Sequence, residues 1–94
     1  MSDVRISGSG ERYAVVGELS FATVTADVTA PAFGAHTLTL DLREVTKADS
    51  AGLALLLDWQ RRAHAAGGRL VLAGTPERLQ SLIRVYGLTE ILPV

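Results

Sequence analysis

Asp49 and Ser50 open the apolar run Ala51-Gly52-Leu53-Ala54-Leu55-Leu56-Leu57, which places a carboxylate and a hydroxyl at the start of a helix. A helix start has unpaired backbone N–H groups and the positive end of the helix dipole, a setting that welcomes an acceptor oxygen or a phosphate. The apparatus of catalysis is not visible around the pair. A hydrolase nucleophile elbow needs glycine two residues before the serine and a sharp strand-to-helix turn. Here that position is Ala48, and the connection after Leu42 is long and polar. Neither His36 nor His64 is placed by the sequence as an evident base. The Asp-Ser pair reads as a docking or switch site, and no catalytic residue is expected.

Other chemistries find less support. Gly8-Ser9-Gly10 is a glycine pair in a hairpin, without the strand, glycine loop, helix and lysine that a phosphate loop requires. The two histidines stand far apart and cysteine is absent, so neither a metal site nor any cofactor is expected, and disulfides and thiol chemistry are excluded. Nine basic and ten acidic residues are mixed along the chain to a net charge of −1, so no basic surface points to nucleic acid.

The elements that must position the pair follow from periodicity. With 94 residues, 48% of them hydrophobic, the chain makes one domain with a single core, residues 1–94. Val4-Arg5-Ile6-Ser7 and Tyr13-Ala14-Val15-Val16-Gly17 read as strands of a hairpin. Residues 19–29 are expected to form a short helix closed by Pro31 and Gly34, and residues 38–42 a half-buried strand followed by a polar connection over 43–49. A helix is expected over residues 50–66, ending at Gly67-Gly68. Arg69-Leu70-Val71-Leu72-Ala73 is the next strand. In the last helix Thr75 should be the N-cap and Pro76 the first helical residue, with Leu79, Leu82, Ile83 and Tyr86 on the apolar face and Gly87 as the stop.

The strand–helix–strand unit over 38–73 is long enough for a crossover between parallel strands, whereas the opening hairpin is antiparallel. The fold class is therefore α/β, a mixed sheet of about four strands with helices mainly on one face. At about 100° per residue the long helix should turn Leu55, Leu56, Trp59, Ala63 and Ala66 to the sheet, with Asp58, Arg61, Arg62 and Ala65 opposite. Asp58 can pair with Arg62 one turn later on a solvated face. Ala54 and Leu57 lie at the border of the apolar face, where a monomer more comfortably carries polar groups, and make a candidate partner contact beside Ser50.

Asp49-Ser50-Ala51-Gly52-Leu53, Gly17-Glu18-Leu19 after the second strand and the closing Tyr86-Gly87-Leu88 give the whole chain a resemblance to STAS domains, the fold of anti-sigma-factor antagonists. Within that family it most resembles the MlaB-like subunits of Mla phospholipid-transport ABC systems, through residues 49–57 and the ending Ile91-Leu92-Pro93-Val94. The resemblance implies a non-catalytic partner of the transporter's cytoplasmic ATPase subunit that supports its assembly or activity and contacts neither ATP nor lipid. It also implies a docking surface around Ser50, for which Glu18, Lys47, Asp49, Ser50, Ala51, Ala54, Leu57, Asp58 and Arg61 are the candidates. The alternative implied by the wider family is an anti-sigma-factor antagonist, bound and phosphorylated at Ser50 by a kinase-type anti-sigma factor.

Each candidate also has an ordinary reading: Ser50 or Asp49 as a simple N-cap, Glu18 and Lys47 as solvated loop residues, and Trp59 as core. A phosphate on Ser50 would meet repulsion from Asp49 and put charge into an apolar contact, so it is expected to release a partner. The first residues do not resemble a secretory signal. The longest uncharged stretch, residues 28–40, falls below the roughly 18 apolar residues of a membrane span. The expected location is cytoplasmic, peripheral at the inner membrane through a transporter, with a homodimer possible when the partner is absent.

Overall fold

The chain, seen in a computed structural model, is described over residues 4–24 and 28–92. Val4–Ser9 (β1) and Arg12–Leu19 (β2) form the antiparallel hairpin. Gly10, at φ 63°, takes the left-handed conformation that the tight turn between them needs. The motif Gly17-Glu18-Leu19 is the end of β2 itself and does not follow it.

The helix expected over residues 19–29 is absent from the described part of that segment; residues 25–27 lie outside the described residues. Residues 20–24 make a single turn, with the N–H groups of Thr23 and Val24 both donating to the Ser20 carbonyl, at 3.0 and 2.8 Å. Hydroxyls account for the stop. Thr23 Oγ1 accepts from the Ser20 N–H at 3.1 Å and Ser20 Oγ from the Ala22 N–H at 3.2 Å, local bonds that compete with helix propagation.

Thr37–Ala48 (β3) is more than twice the expected length and absorbs the supposed polar connection. Leu38, Leu40, Leu42, Val45 and Ala48 turn inward, while Arg43, Glu44, Thr46 and Lys47 are exposed. With so few inward positions, its second half resembles a loop in sequence. It is strand because it pairs in parallel with the irregular end of β2, Glu18 opposite Lys47 and Leu19 opposite Ala48. Arg69–Ala73 (β4) pairs in parallel with β3 as expected, and the sheet order is β1-β2-β3-β4.

Ser50–Ala65 (α1) crosses between β3 and β4 and ends at Gly67, whose φ is 85°. It buries Gly52, Leu53, Leu56, Trp59, Gln60 and Ala63. The expected face is therefore rotated: Ala66 is exposed and Leu55 half-buried, and Leu53 and Gln60 take the inward places. The polar Gln60 is tolerated because its amide is fully used. Nε2 donates to the carbonyls of Leu70 at 2.9 Å and Ile91 at 2.8 Å, and Oε1 accepts from the Leu70 N–H at 2.8 Å. It thereby covers part of the free edge of β4 and ties down the C-terminal segment.

Glu77–Val85 (α2) begins one residue later than expected. Pro76, extended at φ −60° and ψ 149°, is the N-cap and makes no side-chain cap bond, and a residue before proline, here Thr75, is disfavoured in helical conformation. Leu79 and Ile83 are fully buried, but Tyr86, expected on the apolar face, is 58% exposed. Tyr86 is the C-cap, followed directly by the turn at Gly87, φ 68°, and lies beyond the last buried residue of α2, Ile83. Both helices pack on β3 and on each other, so they share one face of the sheet. On the other face Asp41 receives Arg43 at 2.7 Å and Arg12 at 3.3 Å.

Candidate partner-docking site

Asp49, with extended backbone, is the N-cap of α1, and its Oδ1 accepts from the N–H groups of Ala51 at 2.9 Å and Gly52 at 3.4 Å. The Asp49 N–H donates to the Leu19 carbonyl at 3.1 Å, and Asp49 Oδ2 accepts from the Phe21 N–H at 3.1 Å. Partial burial works against the charged carboxylate. The N–H groups of Phe21, Ala51 and Gly52, with the charge of Lys47, outweigh that effect and hold the Asp49 carboxyl below its usual range. Because Asp49 makes the cap, the Ser50 hydroxyl stands outside it, on an exposed first helical residue.

Gly52 sets how close α1 comes to the sheet. A Cβ at that position would lie 2.8 Å from Leu19 Cβ and against the Leu19 carbonyl. The small residue lets the first turn of the helix rest on the end of β2, which is what brings Asp49 within reach of Phe21.

Ser50, Leu53, Ala54 and Leu57 of α1 meet Tyr86 and Leu88 around a groove of about 300 Å³. Beside it, Thr46, Lys47, Asp49, Pro76 and Arg78 are among the residues around a second depression of about 340 Å³ between the end of β3 and the start of α2. Of the candidates, Ser50, Ala54 and Leu57 thus share the first groove, and Lys47 and Asp49 the second. Ala51 is half-buried and contributes its N–H to the cap. Glu18 is half-buried and accepts a hydrogen bond from the Ser20 hydroxyl, bracing the corner after β2. Asp58 and Arg61 lie further along α1 as an ion pair, with Arg62 as a second partner of Asp58 at 3.5 Å. The Arg61 hydrogen bond leads the causes that lower the Asp58 carboxyl. Arg62 also stands 5.4 Å from the centroid of the Phe33 ring, holding the segment before β3 against the helix.

Residues 2–93 match a family model described as Mlab, STAS domain. The chain belongs to the STAS domain family. No curated protein matches this STAS domain. STAS domains are generally non-enzymatic binding or regulatory domains, and the family supports an accessory role of that kind for this one. Among the described residues of this STAS domain no group of three or more His, Cys, Asp or Glu side chains could hold a metal ion, and no helix is long and apolar enough to cross a membrane. Trp59, 1% exposed, is a core residue.

Sequence reasoning missed three exposed apolar residues. Phe21 is 77% exposed, Val85 79% and Tyr86 58%. Tyr86 was assigned inward from its spacing with Leu79 and Ile83. Phe21 had been absorbed into a helix that does not form; an aromatic residue between Ser20 and Ala22, in a weak helical pattern, was the available signal.

Proposed function

We propose that this STAS domain is a non-catalytic accessory subunit that docks on the ATPase of an Mla-type phospholipid-transport ABC transporter and supports its assembly or activity. Its role would be the maintenance of outer-membrane lipid asymmetry, exercised from the cytoplasmic side with the chain peripheral at the inner membrane. The observation that carries the reading is the apolar groove of Ser50, Leu53, Ala54, Leu57, Tyr86 and Leu88, which stands at the family's Asp-Ser motif. The match to the Mlab family over residues 2–93 supports the choice of partner class. An exposed apolar groove is suited to a protein contact, and in the absence of the ATPase the same face would serve a homodimer. Neither nucleic acid nor insertion into lipid forms part of this reading.

A second reading draws on the Ser50 hydroxyl standing outside the cap. An accessible serine at a helix N-terminus can receive a phosphate, so Ser50 would be the switch of an anti-sigma-factor antagonist. Affinity purification of the tagged chain from its native host, with mass spectrometry of the partners and of the Ser50 peptide, separates the two. Recovery of an ABC ATPase and permease with unmodified Ser50 is expected. Recovery of a kinase-type anti-sigma factor with phosphorylated Ser50 would replace the transporter reading by the switch.

A further inference from the structure

The two oxygens of Asp49 hold different elements. Oδ1 caps α1 through Ala51 and Gly52, whereas Oδ2 accepts from the Phe21 N–H at 3.1 Å. The second bond has no part in the helix, and its effect is on the corner that follows β2. That corner is braced from several sides: Leu19 is fully buried, the Asp49 N–H donates to the Leu19 carbonyl, Ser20 and Thr23 exchange bonds, and the Ser20 hydroxyl accepts from the Ala22 N–H. On this fixed backbone sits the Phe21 side chain, 77% exposed. Burying a phenylalanine side chain is favourable, a gain the isolated domain leaves unused at a position it takes several hydrogen bonds to fix. A rigidly presented aromatic side chain resembles the anchor residues that dominate protein interfaces, and its backbone is joined to the residue that precedes Ser50.

We propose that Phe21 is an aromatic anchor of the docking surface, that Asp49 is its positioning residue, and that the partner ATPase presents an apolar pocket for the ring. The inference rests on the proposed docking to an ABC ATPase and extends that surface across the N-terminal tip of α1 to the end of β2. Pre-setting the Phe21 backbone lowers the ordering cost of binding, so the Asp49 bond contributes affinity without touching the partner.

Asp49→Asn separates the two tasks. Asparagine caps a helix as well as aspartate, but its amide nitrogen, placed where Oδ2 stands, donates and cannot accept the Phe21 N–H. Asp49→Ser is a second such variant, a good cap with a single shorter oxygen. The test titrates the purified ATPase subunit with the full chain and its variants, and follows amide exchange at Phe21 and Ala51 in the free chain. Phe21→Ala should weaken binding by about tenfold or more with an unchanged thermal midpoint, and Phe21→Tyr should retain wild-type affinity. Both Asp49 variants should weaken binding several-fold and speed exchange at Phe21 but not at Ala51. Combining Asp49→Asn with Phe21→Ala should cost no more affinity than Phe21→Ala alone, because Asp49 acts through the ring.

Wild-type affinity in Phe21→Ala, alongside binding lost in Leu57→Asp, overturns the anchor and leaves the proposed function standing. Additive losses in the double variant overturn the positioning role. A wild-type chain that fails to bind the ATPase overturns the proposed function and this inference with it.

Discussion

Replacing Gly52 by alanine tests the closest approach in the structure, and the sign of its effect is the informative quantity. In the interior of an exposed helix the change stabilises by about 1 kcal/mol, since glycine is that much poorer a helix former than alanine. Here the new methyl would stand 2.8 Å from Leu19 Cβ and against the Leu19 carbonyl, about 1 Å inside the 3.5–4.0 Å at which carbon atoms pack best. The atoms it meets are the backbone and Cβ of a fully buried strand residue, so neither can swing aside. The first turn of α1 must lift. Overpacking of this kind costs about 1–3 kcal/mol. Lifting also stretches the bonds from the Asp49 N–H to Leu19 and from the Phe21 N–H to Asp49, each worth about 1 kcal/mol.

Set against the helix-propensity gain, the expected result is a net loss of about 1–3 kcal/mol. Urea denaturation followed by circular dichroism measures it as a lower midpoint at unchanged slope. A Gly52→Ala variant more stable than the wild type by about 1 kcal/mol would refute the close approach and the placement of α1 that depends on it.

Two further outcomes are expected. Gln60→Leu removes the partners of the Leu70 N–H and of the Leu70 and Ile91 carbonyls, and should lower unfolding stability by about 2–4 kcal/mol despite the apolar replacement; a neutral effect in urea would show that the amide does not join α1 to β4. The Asp41 carboxyl is driven well below its ordinary value of 3.8, first by the side-chain hydrogen bond from Arg43 and then by the Arg43 backbone N–H; burial opposes them, and the charges of Arg43 and Arg12 add to the lowering. Its folded-state pKa is depressed, so its stabilisation is present above pH 3.8 and fades as pH falls below it toward the folded value. Asp41→Asn should therefore lose stability relative to wild type at pH 7, with the gap narrowing in urea melts at pH 3 and 2; a gap independent of pH would remove the carboxylate from the account.

The legibility of the chain follows the clarity of its patterns. β4 and α1 were plain in the sequence because Leu70-Val71-Leu72-Ala73 is a short, uninterrupted apolar run bounded by Gly67-Gly68 and Gly74, and Gly67 follows an unbroken helical run. The Asp-Ser motif likewise marked the helix start. The second half of β3 was obscured because its strand character comes from pairing with β2, a long-range contact that leaves no alternation in Arg43-Glu44-Val45-Thr46-Lys47. The turn at residues 20–24 was obscured by hydroxyl-to-backbone bonds, which propensities average away.

At the site, Ala54 and Leu57 could be found by their angle on the helix, since that angle depends on local geometry alone. Tyr86 and Leu88 could not be joined to them, because the groove exists only where the end of α2 meets α1. Gln60 carries no local signal that sets it apart; its importance depends on where β4 and the C-terminal segment come to lie.

The central claim is that the face around Ser50, Ala54 and Leu57 docks an ABC ATPase subunit. Isothermal titration of the purified ATPase with the wild-type chain, Ser50→Glu and Leu57→Asp, each first shown by circular dichroism to be folded, tests it most directly. The account predicts binding by the wild type and a loss of about tenfold or more in affinity for both variants. Wild-type affinity in both would place the interface elsewhere on the domain and contradict the account.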